Sequence, residues 1–314
     1  VFVSTSISFA QNGLNFDGTD DFVQTSYYSI TGGNARTVEA WIKTTANANP
    51  NAGGSQKTIV DWGTFATGQR FTFNILFNNA IRLEAQGNGL SGTIPVNDGN
   101  WHHVAAVYNP AATNKVSLYV DGVLDVAGNL TVTVNTGSTM PVRIGRRIDE
   151  LNSFAGSIDE VRIWNIAKTQ AEIQESMNVE LCVPQPSLKS YYKFNQGTAD
   201  GTNSAENLLT DSSGNNYTGT LSNFALTGTT SNWITSQTLP TATVDNSITN
   251  DNAGTLSAVV TGATYQWMDC TNSNAPVSGA TFQTFSPTTV GSYAVQISKN
   301  GCTATSVCET VAPY

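Results

Sequence analysis

The sequence predicts an all-β protein, a large antiparallel β-sandwich followed by a smaller one. Three observations carry that prediction. Short segments of alternating apolar and polar residues recur from Leu14 to about Trp164, with turn residues between them. One segment alone, Thr169 to Met177, combines helical spacing with a helix-start signal. Charged residues make up only 12% of the chain, and Asn, Thr, Ser and Gly, which favour turns and polar strand faces, fill the gap.

The elements follow in order. Thr37–Lys43 and Lys57–Trp62 read as strands. Arg70–Leu76 and Ala80–Ala85 form a hairpin around Asn78-Asn79. Trp101–Tyr108 leads through Asn109-Pro110 into Lys115–Val120, and Asp121-Gly122, a strong two-residue hairpin signal, returns the chain as Val123–Val126. In Gly156–Asn165, strict alternation places Asp159, Val161 and Ile163 on one face, and Ile158, Glu160, Arg162 and Trp164 on the other. Thr169 with Glu172 three residues later is a capping box, so a helix runs to Met177. Residues 182–239 hold further strands, such as Ser190–Asn195, expected to extend the same sandwich. Pro240 punctuates a boundary, and the remaining strands include Tyr265–Cys270 and Gly291–Ile297. The expected organisation is a signal-peptide remnant or linker over 1–10, a first domain over 11–238 and a second over 241–314. The chain opens at Val1, so its start is expected to be incomplete.

Composition narrows the function classes. Of 314 residues, Lys plus Arg number 14 and Asp plus Glu 23, a net charge of −9. That balance, without a basic stripe, argues against nucleic acid as partner. No run of 18 apolar residues exists, so no membrane span is expected. Four cysteines occur, three of them (Cys270, Cys302 and Cys308) near the C-terminus, and no CxxC pair suggests zinc. On an unbroken strand Cys302 and Cys308 would stand about 20 Å apart, too far for a bridge. A disulfide from Cys270 to Cys302 or Cys308 is expected, with Cys182 a candidate partner for the cysteine left over.

The segments GLNFDGTDDFV (13–23), WHHVAAVY (101–108), LYVDG (118–122) and GSIDEVRIWN (156–165) resemble those of laminin-G-like, concanavalin-A-like jelly-roll domains, over about residues 11–235. The strands around Trp267 and Tyr293 resemble a bacterial immunoglobulin-like module, Trp267 as its core tryptophan and Tyr293 as its corner tyrosine. The resemblance implies a secreted or cell-surface protein, of the kind that Bacteroidota export through the type IX system for adhesion or gliding. It implies a non-catalytic module that binds polysaccharide, a cell-surface glycan or a protein partner. A structural spacer in a surface filament or outer-membrane assembly is the alternative, and an accessory module of a polysaccharide-degrading enzyme comes third.

Candidate sites follow. Asp17, Asp20 and Asp21 concentrate three carboxylates around Gly18, a donor set that suits calcium. The resemblance implies that first and last strands meet, which would bring Asp159 beside them. The alternative is that the aspartates cap a turn and Asp159 pairs with Arg162 or Lys168. For glycan, Trp62 and Tyr27 are candidate aromatic contacts, and Arg143, Arg146 and Arg147 suit carboxylate or sulfate groups on an anionic polysaccharide. The alternative packs Trp62 in the core and pairs the arginines with Asp149 and Glu150. No Glu-x-Asp-x-Glu triplet of the glycanase type occurs, and the adjacent pairs Asp149-Glu150 and Asp159-Glu160 should not converge on one sugar. His102 and His103 read as packing residues. Asn129-Leu-Thr131 and Asn216-Tyr-Thr218 fit the N-glycosylation pattern and are chance matches in a bacterial protein.

Overall fold

A computed structural model describes residues 11–48 and 56–311. The expected remnant over 1–10 lies outside the described residues. The chain divides into two compact units: residues 11–178 with Pro186–Pro240, and Val179–Gln185 with residues 241–311. The strip Val179–Gln185, expected to belong to the first domain, thus groups with the second.

The first unit runs β1 (Asn12–Asp17), β2 (Phe22–Thr25), β3 (Arg36–Lys43), β4 (Lys57–Gly63), β5 (Arg70–Ile75), β6 (Ala80–Ala85), β7 (Asn88–Pro95) and β8 (Trp101–Tyr108). It continues with β9 (Val116–Val120), β10 (Val123–Gly128), β11 (Met140–Ile144), β12 (Ala155–Trp164) and α1 (Gln170–Ser176). It closes with β13 (Leu188–Tyr192), β14 (Leu208–Leu209), β15 (Gly219–Ser222) and β16 (Trp233–Thr235). Two eight-stranded sheets result. The front sheet has the order β10-β9-β8-β3-β12-β1-β16, with β13 also on β12, and the back sheet the order β14-β15-β2-β11-β4-β5-β6-β7. Every pairing between these strands is antiparallel, and the all-β sandwich expectation holds.

Alternation decides what faces inward. Val38, Ala40 and Ile42 of β3 meet Val60 and Trp62 of β4, and Phe71, Phe73 and Ile75 of β5, in one buried cluster between the sheets. At Asp121-Gly122 both residues have positive φ, 50° and 74°, the type I′ geometry that matches strand twist. The capping box forms: Thr169 N-caps α1, its side chain accepting from the Glu172 N–H. Helix α1 buries Ile173 against Ala105, Val107 and Tyr119, on the outer face of the front sheet.

One strand departs from strict alternation. β12 bulges between Asp159 and Arg162, and Glu160 takes φ 54°. Ile158, Val161 and Ile163 therefore all reach the core, where alternation put Ile158 on the opposite face. Beneath α1 the outer face carries a buried ionic network. Trp164 Nε1 and Lys168 Nζ donate to Glu39 Oε1 at 2.6 and 3.2 Å, and Arg162 pairs with Glu160. Burial alone would raise the Glu39 carboxyl, but Lys168 and then His103 outweigh it and hold it below the usual range.

The second unit holds β17 (Ile248–Asn250), β18 (Leu256–Ala258), β19 (Thr264–Asp269), β20 (Ala275–Pro276), β21 (Thr284–Phe285), β22 (Gly291–Lys299), β23 (Cys302–Thr305) and β24 (Glu309–Val311). They form one three-stranded and one five-stranded sheet. Trp267 is fully buried and stacks on Phe285, which meets Tyr293 edge to face. Two disulfides staple the unit, Cys182–Cys302 and Cys270–Cys308. Cys270 takes one of its two expected partners, and Cys182 takes the remaining cysteine.

Candidate functional site

Two places in the first unit concentrate chemistry. The first is the turn between β1 and β2. Asp17, Asp20 and Asp21 bring one carboxylate oxygen each within 4.8 Å of one another. Gly18, at φ 82°, is required here, because a Cβ would lie 2.6 Å from the Ala155 side chain. Asp21 is fully buried; its carboxylate accepts from the Asp17 N–H at 2.9 Å and from the Ser231 hydroxyl at 2.9 Å. Burial pushes its pKa up to about 6, helped by the charges of Asp17 and Asp20, against the pull of those two hydrogen bonds. An all-oxygen donor set with one raised carboxyl is the arrangement that a hard cation relieves, so the residues fit calcium. Asp159 is not with them. β1 pairs Asp17 with Ala155, and Asp159 sits four residues further along β12, buried, with Ser236 donating to its carboxylate. The expected fourth ligand is thus corrected: strand register carries it away from the turn. Burial first, and the Glu160 charge next, raise its pKa well above the usual range.

The second place is the outer face of the back sheet. Gln24, Arg143, Asp61, Thr72 and Glu84 stand side by side across β2, β11, β4, β5 and β6. Hydrogen bonds tie parts of this row together. Arg143 donates to Gln24 Oε1, Thr72 Oγ1 donates to Asp61 Oδ1 at 2.6 Å, and Arg70 Nη2 donates to Glu84 Oε1 at 2.9 Å. The loop after β11 folds over this row, and the Ile148 N–H donates to Asp61 Oδ2 at 2.8 Å. Burial raises Asp61 to about 6, Arg70 being the strongest opposing influence. Phe65, 60% exposed, lies over the Arg70 guanidinium with its centroid 5.2 Å from Cζ.

Several expected contacts are corrected here. Trp62 is fully buried between the sheets against Phe71, so its ring offers no sugar platform. Tyr27 is buried and stacks on Tyr217. Arg143 and Arg146 share Glu150, and Arg147 pairs with Asp149, so all three guanidinium groups are already met by carboxylates. Phe65 and Arg70 escaped the sequence reading. Nothing in a loop phenylalanine marks it as exposed, and an arginine that opens a strand reads as surface.

Residues 17–174 match the family model of the Concanavalin A-like lectin/glucanases superfamily. No curated protein matches in sequence. Among solved structures, a proposed carbohydrate binding protein from Bacteroides ovatus is 21% identical, with TM-score 0.52, over 68% of this chain and 58% of that one. A heptameric SAP-like pentraxin from Limulus polyphemus is 18% identical, with TM-score 0.38, over 54% of this chain and 83% of that one. Domain 4 of an extracellular arabinanase from Geobacillus stearothermophilus, in complex with arabinotriose, is 17% identical, with TM-score 0.39, over 52% and 75%. At 21% identity the likeness to the Bacteroides ovatus protein is one of fold. The two-sheet sandwich and the family match over half of its residues establish that the chain belongs to the Concanavalin A-like lectin/glucanases superfamily.

Proposed function

We propose that the first unit is a non-catalytic glycan-binding module of an exported bacterial protein. One observation carries the reading: the outer face of the back sheet is a row of polar side chains locked by mutual hydrogen bonds and ion pairs. This buried row holds the exposed residues around it, Phe65 among them, in a fixed frame, and a frame ordered before binding loses little entropy when a sugar docks. The family, and the carbohydrate binding proposed for the Bacteroides ovatus protein, support the same class. The two disulfides support export to an oxidising compartment. On this reading the protein acts outside the cell, in adhesion or capture of a surface, with type IX export from a Bacteroidota cell as the expected route. The second unit is an immunoglobulin-like spacer, in which Trp267 is the core tryptophan and Thr289 accepts the Tyr293 hydroxyl through its carbonyl at 3.1 Å. The Asp17–Asp21 turn holds a structural calcium. A surface spacer without sugar affinity is the second reading, favoured by the two staples in the smaller unit.

The test is binding of the whole chain to immobilised polysaccharides, with calcium and again with a chelator. Binding in either condition supports the module; binding lost on chelation ties calcium to recognition. No binding to any polysaccharide favours the spacer.

A further inference from the structure

We propose that Phe65, Arg70 and Asp149 form a subsite for a neutral sugar ring that presents two adjacent hydroxyls; this rests on the glycan-binding reading above. Arg70 is 1% exposed, yet one of its nitrogens is unsatisfied. Nε donates to Thr72 Oγ1 at 3.0 Å and Nη2 to Glu84 Oε1 at 2.9 Å, while Nη1 has no hydrogen-bond acceptor. Its neighbour Asp149 Oδ2 stands off at 3.6 Å. A buried guanidinium donor left open is costly. Asp149 is held in place from the other side, since Arg147 Nε donates to its Oδ1 at 2.7 Å. Donor and acceptor therefore face each other across a gap that is too long for a direct bond. Two adjacent hydroxyls fit it chemically, one accepting from Nη1 and the other donating to Oδ2.

Phe65 supplies the apolar half of the subsite. Its ring lies over the guanidinium, and the residue is 60% exposed. On this proposal the exposed ring swings aside to admit a hydroxyl to Nη1, and it packs on the C–H surface of the sugar. The charge balance selects the ligand class. Arg70 is met by Glu84, Asp149 and, at 3.9 Å, Asp61, while Arg146 and Arg147 are paired with Glu150 and Asp149. Three carboxylates, Asp61, Glu84 and Asp149, already surround the Arg70 guanidinium, so a sulfate or carboxylate docking at this point would meet their repulsion. The neutral class replaces the anionic polysaccharide that the arginine cluster suggested in sequence.

The experiment measures binding of the whole chain to dextran, mannan, galactan and arabinan, and to dextran sulfate and polygalacturonate. Phe65→Ala, Asp149→Asn and, as a control in the second unit, the exposed Phe282→Ala are measured beside wild type, with melting temperature checking the fold. The expected result is binding to at least one neutral polymer, weakened at least ten-fold by Phe65→Ala and by Asp149→Asn at unchanged melting temperature, and unaltered by Phe282→Ala. Neutral binding that survives both substitutions overturns the subsite and leaves the glycan reading standing. Binding to the anionic polymers alone overturns the neutral class. Wild type that binds none of the six overturns the subsite together with the reading beneath it.

Discussion

Asp125 of β10 reaches across the open side of the sandwich to Thr93 of β7, accepting from its N–H at 2.9 Å and from its hydroxyl at 2.7 Å. These are the edge strands of the front and back sheets. One carboxylate thus occupies backbone donors that would otherwise template another chain. Asp125→Ala should cost about 1.5 kcal/mol, the low end for hydrogen bonds to a charged group, since the site is partly exposed. It should also raise aggregation, because Val123, Leu124 and Ile94 are exposed beside the freed edge. Gly92→Ala should do the same without removing the carboxylate, since its Cβ would lie 2.0 Å from Asp125 Oδ2. Chemical denaturation with light scattering checks both.

The aspartate turn predicts a pH dependence. The folded pKa of Asp21 is raised to about 6 from an ordinary 3.8, so its contribution is fully present below the ordinary value and is lost as pH rises through 6. Wild type should therefore gain stability relative to Asp21→Asn between pH 7 and pH 4, by at most about 1.4 kcal/mol per pH unit. Denaturation midpoints of the two proteins at pH 7, 6 and 5 measure it. Parallel curves would mean that the Asp21 carboxyl is not raised.

Calcium should act on the same group in the opposite sense. Millimolar calcium at pH 7 is expected to raise the melting temperature by a few degrees through preferential binding to the folded state. Asp20→Asn, with its partly exposed side chain, should abolish the increment while leaving the chelated protein's melting temperature within about a degree. Scanning calorimetry in calcium and in chelator reads both numbers.

Glu39 is the hub of the network under α1. Replacing it with Ala strands Lys168 and orphans the Trp164 indole, and should cost about 3–5 kcal/mol, as for one partner removed from a buried ion pair. Glu39→Gln keeps an acceptor for Trp164 and should cost less. If the two variants unfold at the same denaturant concentration, hydrogen bonding to Trp164 is not part of the effect.

The staples should matter locally. Cys270→Ser with Cys308→Ser opens a loop of 38-residue separation and should destabilise the second unit by about 2–4 kcal/mol. The large buried cluster of the first unit contains no cysteine, so its unfolding transition should stay in place. Calorimetry with and without reductant distinguishes a shift in one transition from a shift in both.

Much of the fold is legible in residue order, because alternation, the Asp121-Gly122 turn and the Thr169–Glu172 box are local signals. The candidate site is far less so. Pattern alone cannot say which face of KTIVDWG is buried, and Trp62 went to the inside. The bulge at Asp159–Glu160 breaks the count on β12 because Glu160 adopts a backbone conformation that its sequence does not announce. Arg36, Arg70 and Arg162 are fully buried. Arg36 manages this by donating to the carbonyls of Ile30, Gly32 and Asn34, partners that only the folded loop supplies. The Cys182–Cys302 link joins residues 120 apart, a distance over which spacing says nothing.

The two partners of β12 on one flank have a practical corollary for anyone cutting this gene. Its first half lies against β1 and its second half against β13, so the strand completes its neighbours only when residues beyond 187 are present. Stopping translation at residue 174, where the family match ends, would delete Tyr191 from Glu160, Ser231 from Asp21 and Trp233 from the core. The smallest inheritable cassette of this module therefore extends to about Pro240, and shorter fragments should emerge from the ribosome as clients of chaperones.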